Sequence, residues 1–202
     1  MATRPVKPSG AGLTASGPAV VAVFGSSAVD ESDPVYRLAR ELGGELARGG
    51  AAVMTGGYGG VMAACSRGAR EAGGHVIGVT VELYERRGPA NPWVDERVHA
   101  PDLFERLRHL VGRADGYVAL PGSLGTLTEL FLTWTLLSAA ARPATRLVLL
   151  GERWAAWLEA HRDPQLVPPS LFEHVRMTTL PAEAARWALV GVPVGRWEGG
   201  ER

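Results

Sequence analysis

The sequence predicts an α/β fold: a Rossmann-like, doubly wound parallel sheet with helices on both faces, built as a single domain. Three observations carry this. Short unbroken apolar runs, the mark of strands buried on both faces, alternate with helical apolar patterns. Glycine-rich turns stand between several of these strands and the helices that follow. The 202 residues, 46% of them apolar, suit one domain with a sizeable core and loose ends.

Residues 1–17 hold Pro, Gly, Ser and Thr without periodicity and read as a flexible tail; 191–202 read the same way. The domain is therefore expected over 18–190. Ala19–Phe24 is the first strand, and Gly25-Ser26-Ser27 its turn. Ser32 or Asp33 caps a helix with Pro34 near its first position and Leu38, Leu42 and Leu46 on one face. Ala51–Thr55 is a second strand. The loop Gly56-Gly57-Tyr58-Gly59-Gly60 follows, then a helix from Val61 to Gly73-Gly74 and a strand over His75–Val79. Residues 81–101 read as a long irregular loop, the kind that usually carries function in a compact domain. Leu103–Arg113 is a helix and Gly116–Leu120 a strand. Pro121–Gly125 is a loop, and a long apolar helix runs on to about Ala140. Arg146–Leu150 is a strand, 152–161 a helix, 176–180 a short strand and Ala182–Leu189 the closing helix.

Composition excludes several functions. Basic and acidic residues balance at 21 each, which argues against nucleic acid or an anionic membrane as partner. No apolar run reaches the length of a membrane span, and no signal-peptide core stands at the start. Cys65 is the only cysteine, so no intrachain disulfide is possible, and a cytoplasmic location is expected. Lys7 is the only lysine and lies in the tail, which excludes a pyridoxal-phosphate enzyme with its lysine Schiff base. The five histidines and one cysteine show no metal-ligand spacing. Neither a metal nor a cofactor is expected.

The segment Pro121-Gly122-Ser123-Leu124-Gly125-Thr126-Leu127-Thr128-Glu129 carries the chemistry. It leaves an apolar strand and opens a helix, where free amides and the helix dipole favour an anion. Thr126 adds a hydroxyl. The segment is not a P-loop, because the Gly-Lys-Ser/Thr ending is missing. Thr126, Glu129 and Thr133 are spaced to share one helix face. Glu129 stands among Leu127, Leu130, Phe131, Leu132 and Trp134, where a carboxylate needs a partner or a task. Arg106, on the helix before, can pair with it or bind a phosphate. The Gly56–Gly60 loop lacks the dinucleotide spacing, and no acidic residue follows to anchor a ribose.

At these residues the chain resembles the LOG-type proteins, once labelled lysine decarboxylases, whose studied members are cytokinin riboside 5'-monophosphate phosphoribohydrolases. The resemblance spans about 19–190. Residues 121–129 match the motif Pro-Gly-Gly-x-Gly-Thr-x-x-Glu, with Ser123 for the second Gly. Gly56–Ala63 and Gly25-Ser26-Ser27 match two further glycine segments, with Tyr58 in place of a glycine. Arg106-Leu107 aligns with an Arg-Lys pair, and Thr133-Trp134 with a Thr-Trp.

The resemblance implies that Glu129 and Arg106 are the catalytic pair. It implies a nucleotide site lined by Gly122, Ser123, Leu124, Gly125, Thr126, Leu127, Thr128 and Thr133, with Gly25, Ser26, Ser27, Gly56, Gly57, Gly59 and Gly60. The expected reaction frees the base of a nucleoside 5'-monophosphate, a cytokinin riboside 5'-monophosphate or a purine nucleotide such as AMP, leaving ribose 5-phosphate. A homodimer is expected. The alternative is a non-catalytic nucleotide or molybdenum-cofactor carrier of the same fold.

Overall fold

The computed structural model describes residues 17–85, 88–139, 144–190 and 192–193. Nearly all of the first expected tail, residues 1–16, lies outside them. A seven-stranded, all-parallel sheet runs through the domain. Its strands are β1 (Val20–Phe24), β2 (Ala52–Thr55), β3 (Val76–Val81), β4 (Glu96–Ala100), β5 (Gly116–Ala119), β7 (Leu147–Leu150) and β8 (Val175–Thr178). Their spatial order is β4-β3-β2-β1-β5-β7-β8, every pairing parallel. The chain winds outward from β1 to β4 and then returns to lay β5 against the other side of β1. The strand order therefore reverses between β1 and β5, and a crevice opens beyond their carboxyl ends.

Helices cover both faces. On one lie α1 (Pro34–Arg48), α2 (Val61–Glu71) and α7 (Pro181–Val190), which pack through Leu42, Leu46, Ala64 and Ala185 onto Val21, Val53, Val118 and Val148. On the other lie α4 (Leu103–Gly112), α5 (Leu124–Ala139) and α6 (Arg153–Ala160), which pack Leu110, Leu130, Trp134 and Trp154 onto Phe24, Met54, Ala119 and Leu149. The strand runs are apolar throughout because both faces of the sheet are buried. Helix starts follow the sequence signals. Asp33, rather than Ser32, caps α1 by accepting from the Val35 N–H at 2.7 Å, with Pro34 following. Asp102 caps α4 through the Glu105 N–H at 2.9 Å.

The reading of 81–101 as irregular is corrected. It holds a one-turn helix, α3 (Glu82–Glu85), and the whole of β4 at the sheet edge. The burial of β4 alternates along Glu96-Arg97-Val98-His99, so charged residues on its open side hide the strand from an apolar-run search. A two-residue pair of β6 (Ala144–Thr145) with β9 (Val192–Pro193) ties the start of the expected second tail back to the domain. The long helix is not wholly core: Trp134 and Leu137 are buried, while Phe131 and Leu136 are exposed. No helix among the described residues is long and apolar enough to cross a membrane.

α1 and α2 cross at backbone contact. A methyl on Gly68 would overlap the Arg40 carbonyl, and one on Gly43 the Cys65 carbonyl. Neither carbonyl can retreat without moving its helix. Gly68→Ala is therefore expected to cost about 1–3 kcal/mol despite its better helix propensity, read as a lower denaturant midpoint.

Candidate functional site

Three loops meet at the crevice. The first, Gly25–Ser27, leaves β1; the second, Gly56–Gly60, leaves β2; the third, Pro121–Ser123, leaves β5 and opens α5. The Ser26 N–H donates to the Pro121 carbonyl at 3.2 Å, and the Val61 N–H donates to the Ser26 carbonyl at 2.8 Å. These two bonds lock the loops together.

The glycines divide by task. Gly60 has φ +65°, and a methyl there would overlap the backbone of Ser26 and Ser27. Gly25 faces Val61 too closely for a side chain. Gly56 is buried, and a methyl on it would overlap the Arg106 guanidinium; Gly57 (φ +81°) is buried against Thr80 and Gly78. Gly25, Gly56, Gly57 and Gly60 were expected to line the ligand. Their lack of a side chain also serves contact between loops and with Arg106. Ser27, Gly59, Gly122, Ser123, Leu124 and Gly125 are exposed on the crevice loops.

The start of α5 is the candidate anion site. Its first intrahelical bond from this loop runs from the Leu127 N–H to the Ser123 carbonyl at 3.0 Å, so the amides before Leu127 precede the helical ladder. Thr126 is buried, and its hydroxyl fills the space a side chain at Gly122 would take. That hydroxyl has no protein hydrogen bond among the described residues. Beside it a cavity of about 460 Å³ is lined by Ser26, Gly122, Ser123, Leu127, Arg153 and Trp157, among others. The other two threonines bond within α5. Thr128 donates its hydroxyl to the Leu124 carbonyl at 2.8 Å. Thr133 is fully buried and donates to the Glu129 carbonyl at 2.7 Å, because a hydroxyl inside a helix returns to the carbonyl four residues back. Thr133 thus does not line the crevice.

One turn into α5 stands Glu129, 8% exposed, and facing it from α4 is Arg106, 7% exposed. Arg106 Nη1 donates to Glu129 Oε1 at 3.1 Å, and Arg106 Nε donates to the Val79 carbonyl at 3.0 Å. The guanidinium is wedged under Gly56, so the pair sits directly beneath the second glycine loop. Glu129 Oε2 has no protein hydrogen bond among the described residues. Burial pushes the Glu129 carboxyl above the ordinary glutamate range, against the opposing pull of Arg106.

Sequence reasoning missed the wall around this pair. Tyr84 of α3 lies over the Arg106 guanidinium, 5.7 Å from ring centroid to the guanidinium carbon, and meets Tyr58 edge-on at 6.1 Å. The Tyr58 hydroxyl donates to the Val81 carbonyl at 3.0 Å and accepts from the Val81 N–H at 2.9 Å. Asn91 clamps the same loop: its side-chain amide donates to the Tyr58 carbonyl and its N–H to the Gly57 carbonyl. Only the placement of a long polar segment after β3 hinted at this. Cys65 is buried in α2, and burial raises its thiol, so it is no nucleophile for the crevice. No cluster of three or more metal-binding side chains occurs among the described residues.

Fold and crevice define an α/β protein with a helix start at a strand-order switch and a buried Glu129–Arg106 ion pair beside it. Residues 18–139 match the SLOG cluster4 family, and the chain belongs to that family. It is 30% identical to a cytokinin riboside 5'-monophosphate phosphoribohydrolase of Mycobacterium tuberculosis, over 77% of this chain and 85% of the relative. It is also similar to the molybdenum cofactor carrier protein of Chlamydomonas reinhardtii, at 27% identity and TM-score 0.61, over 84% of this chain and 94% of that one. A solved structural-genomics target aligns at 27% identity and TM-score 0.65, over 83% and 96% of the two chains.

The buried pair yields a stability prediction. Arg106→Leu strands an unpaired Glu129 and is expected to cost about 3–5 kcal/mol in urea unfolding at neutral pH. The double replacement Arg106→Leu/Glu129→Leu is expected to recover most of that loss. Additive losses in the double variant would mean that the two side chains are not coupled.

Proposed function

We propose that this protein is a hydrolase that cleaves the N-glycosidic bond of a nucleoside 5'-monophosphate, releasing the base and ribose 5-phosphate. The observation that carries the reading is Glu129: a buried carboxylate held by Arg106 through one oxygen, its other oxygen uncommitted, one turn from an open anion site. The relatives named phosphoribohydrolases support the reaction class. The substrate is a cytokinin riboside 5'-monophosphate or a purine nucleotide such as AMP.

The 5'-phosphate sits on the first amides of α5, with the Thr126 hydroxyl donating to it. Holding the phosphate there positions the sugar for attack, so binding energy remote from the reacting bond speeds the reaction. As the bond to the base lengthens, positive charge grows on the ribose C1'. Glu129 Oε2 stabilises that charge or orients the attacking water. Arg106 holds Oε1 and keeps the carboxylate turned toward the sugar. Water adds to C1', and the base departs with the bonding electrons and takes up a proton. The exposed Phe131 and Leu136 of α5 offer a surface for the expected homodimer.

The likeness to a molybdenum cofactor carrier supports a second reading, a carrier without turnover. Incubation with AMP, GMP, CMP and isopentenyl-AMP, followed by chromatography, separates the two. The hydrolase reading expects free base and ribose 5-phosphate from at least one of them; bound but intact nucleotide supports the carrier. Glu129→Gln is expected to lower turnover by about two orders of magnitude or more while nucleotide binding survives. The pH profile follows from burial. Glu129 acts ionised, so activity falls as pH drops through its raised pKa. The acid limb is expected above the ordinary glutamate range and absent from the residual activity of Glu129→Gln.

A further inference from the structure

We propose that Tyr84 and Tyr58 form the wall that receives the nucleotide's base, selecting a flat aromatic heterocycle by ring contact rather than by hydrogen bonding. This rests on the reading of Glu129 as the group beside the anomeric carbon. The base is one bond from that carbon, so whatever lies next to Glu129 on the side away from the phosphate loop meets the base. From Glu129 the contacts run to Arg106, from Arg106 to the Tyr84 ring at 5.7 Å, and from Tyr84 to Tyr58 at 6.1 Å.

The two rings differ in how they are held. The Tyr58 hydroxyl gives and takes a hydrogen bond with the Val81 backbone, so only its ring is left for a ligand. Asn91 fixes the Tyr58 carbonyl at 3.0 Å. The position of this ring is therefore set before binding, which lowers the ordering cost of recognition. Tyr84 rides on α3, whose Glu85 pairs with Arg97 and lies near His99. These partners are about half exposed, and such pairs hold an element weakly. The adjacent guanidinium favours an electron-rich ring stacked beside it.

The test measures calorimetric affinities of the full chain in a Glu129→Gln background for AMP and for ribose 5-phosphate. Tyr84→Ala is expected to weaken AMP about tenfold or more while leaving ribose 5-phosphate unchanged, and Tyr84→Phe is expected to retain AMP affinity. Equal losses for both ligands, or no loss for AMP, overturn the proposal. It is also overturned if Trp157→Leu, on the α6 side of the phosphate loop, produces the AMP-selective loss instead. If the background protein binds neither ligand, the proposed function itself fails and takes this inference with it. If it binds both and only the Tyr84 variants behave contrary to expectation, the function stands and the base wall falls.

Discussion

Arg106 and Glu129 impose the constraint to which the crevice is fitted. A carboxylate and a guanidinium taken out of water lose solvation worth several kcal/mol each, and close pairing with further hydrogen bonds offsets that loss. The fold supplies those bonds from separate elements: Arg106 from α4, Glu129 from α5 and the Val79 carbonyl from β3. Gly56 must then lack a side chain, because the guanidinium occupies its Cβ position. The turn after β2 is thereby fixed, and Asn91, reaching from beyond α3, fastens it from outside.

The same pair explains why the crevice is asymmetric. On its β1–β5 side the loops are open, with exposed Gly122, Ser123 and Gly125 and an uncommitted Thr126 hydroxyl. On the β2–β3 side Gly56 and Tyr84 pack against the guanidinium, and Tyr58 meets the Tyr84 ring edge-on. Phosphate recognition suits the first side, where amides face solvent at a helix start. Electrostatic chemistry suits the second, where low polarizability strengthens every charge.

Much of the fold was legible because its strands are buried on both faces and read as apolar runs. β1, β2, β5 and β7 stand out for this reason, as do the capped helices α1 and α4. The edge strand β4 was not legible: one side of it is open, and Glu96, Arg97 and His99 break the run. The acid and its partner were legible from a carboxylate set in an apolar helix and from the resemblance. The tasks of individual glycines were not. A glycine required by a ligand and one required by a neighbouring side chain look alike in sequence, and only the packing of Gly25, Gly56 and Gly60 tells them apart. Thr133 misled because its spacing from Glu129 is that of a shared helix face. The same spacing also delivers its hydroxyl to the Glu129 carbonyl. Tyr84 could not be found, since it meets Arg106 across a distance in sequence that no motif records.

The position of a bound nucleotide relative to one carboxylate decides the chemistry of this crevice. The most direct measurement is a crystal structure of the Glu129→Gln protein with AMP bound. The account predicts phosphate oxygens on the amides at the start of α5, the Thr126 hydroxyl among their donors, and the ribose C1' beside the residue 129 side chain. A phosphate seated elsewhere, or a sugar turned away from residue 129 with the pair's place closed to it, would contradict the account.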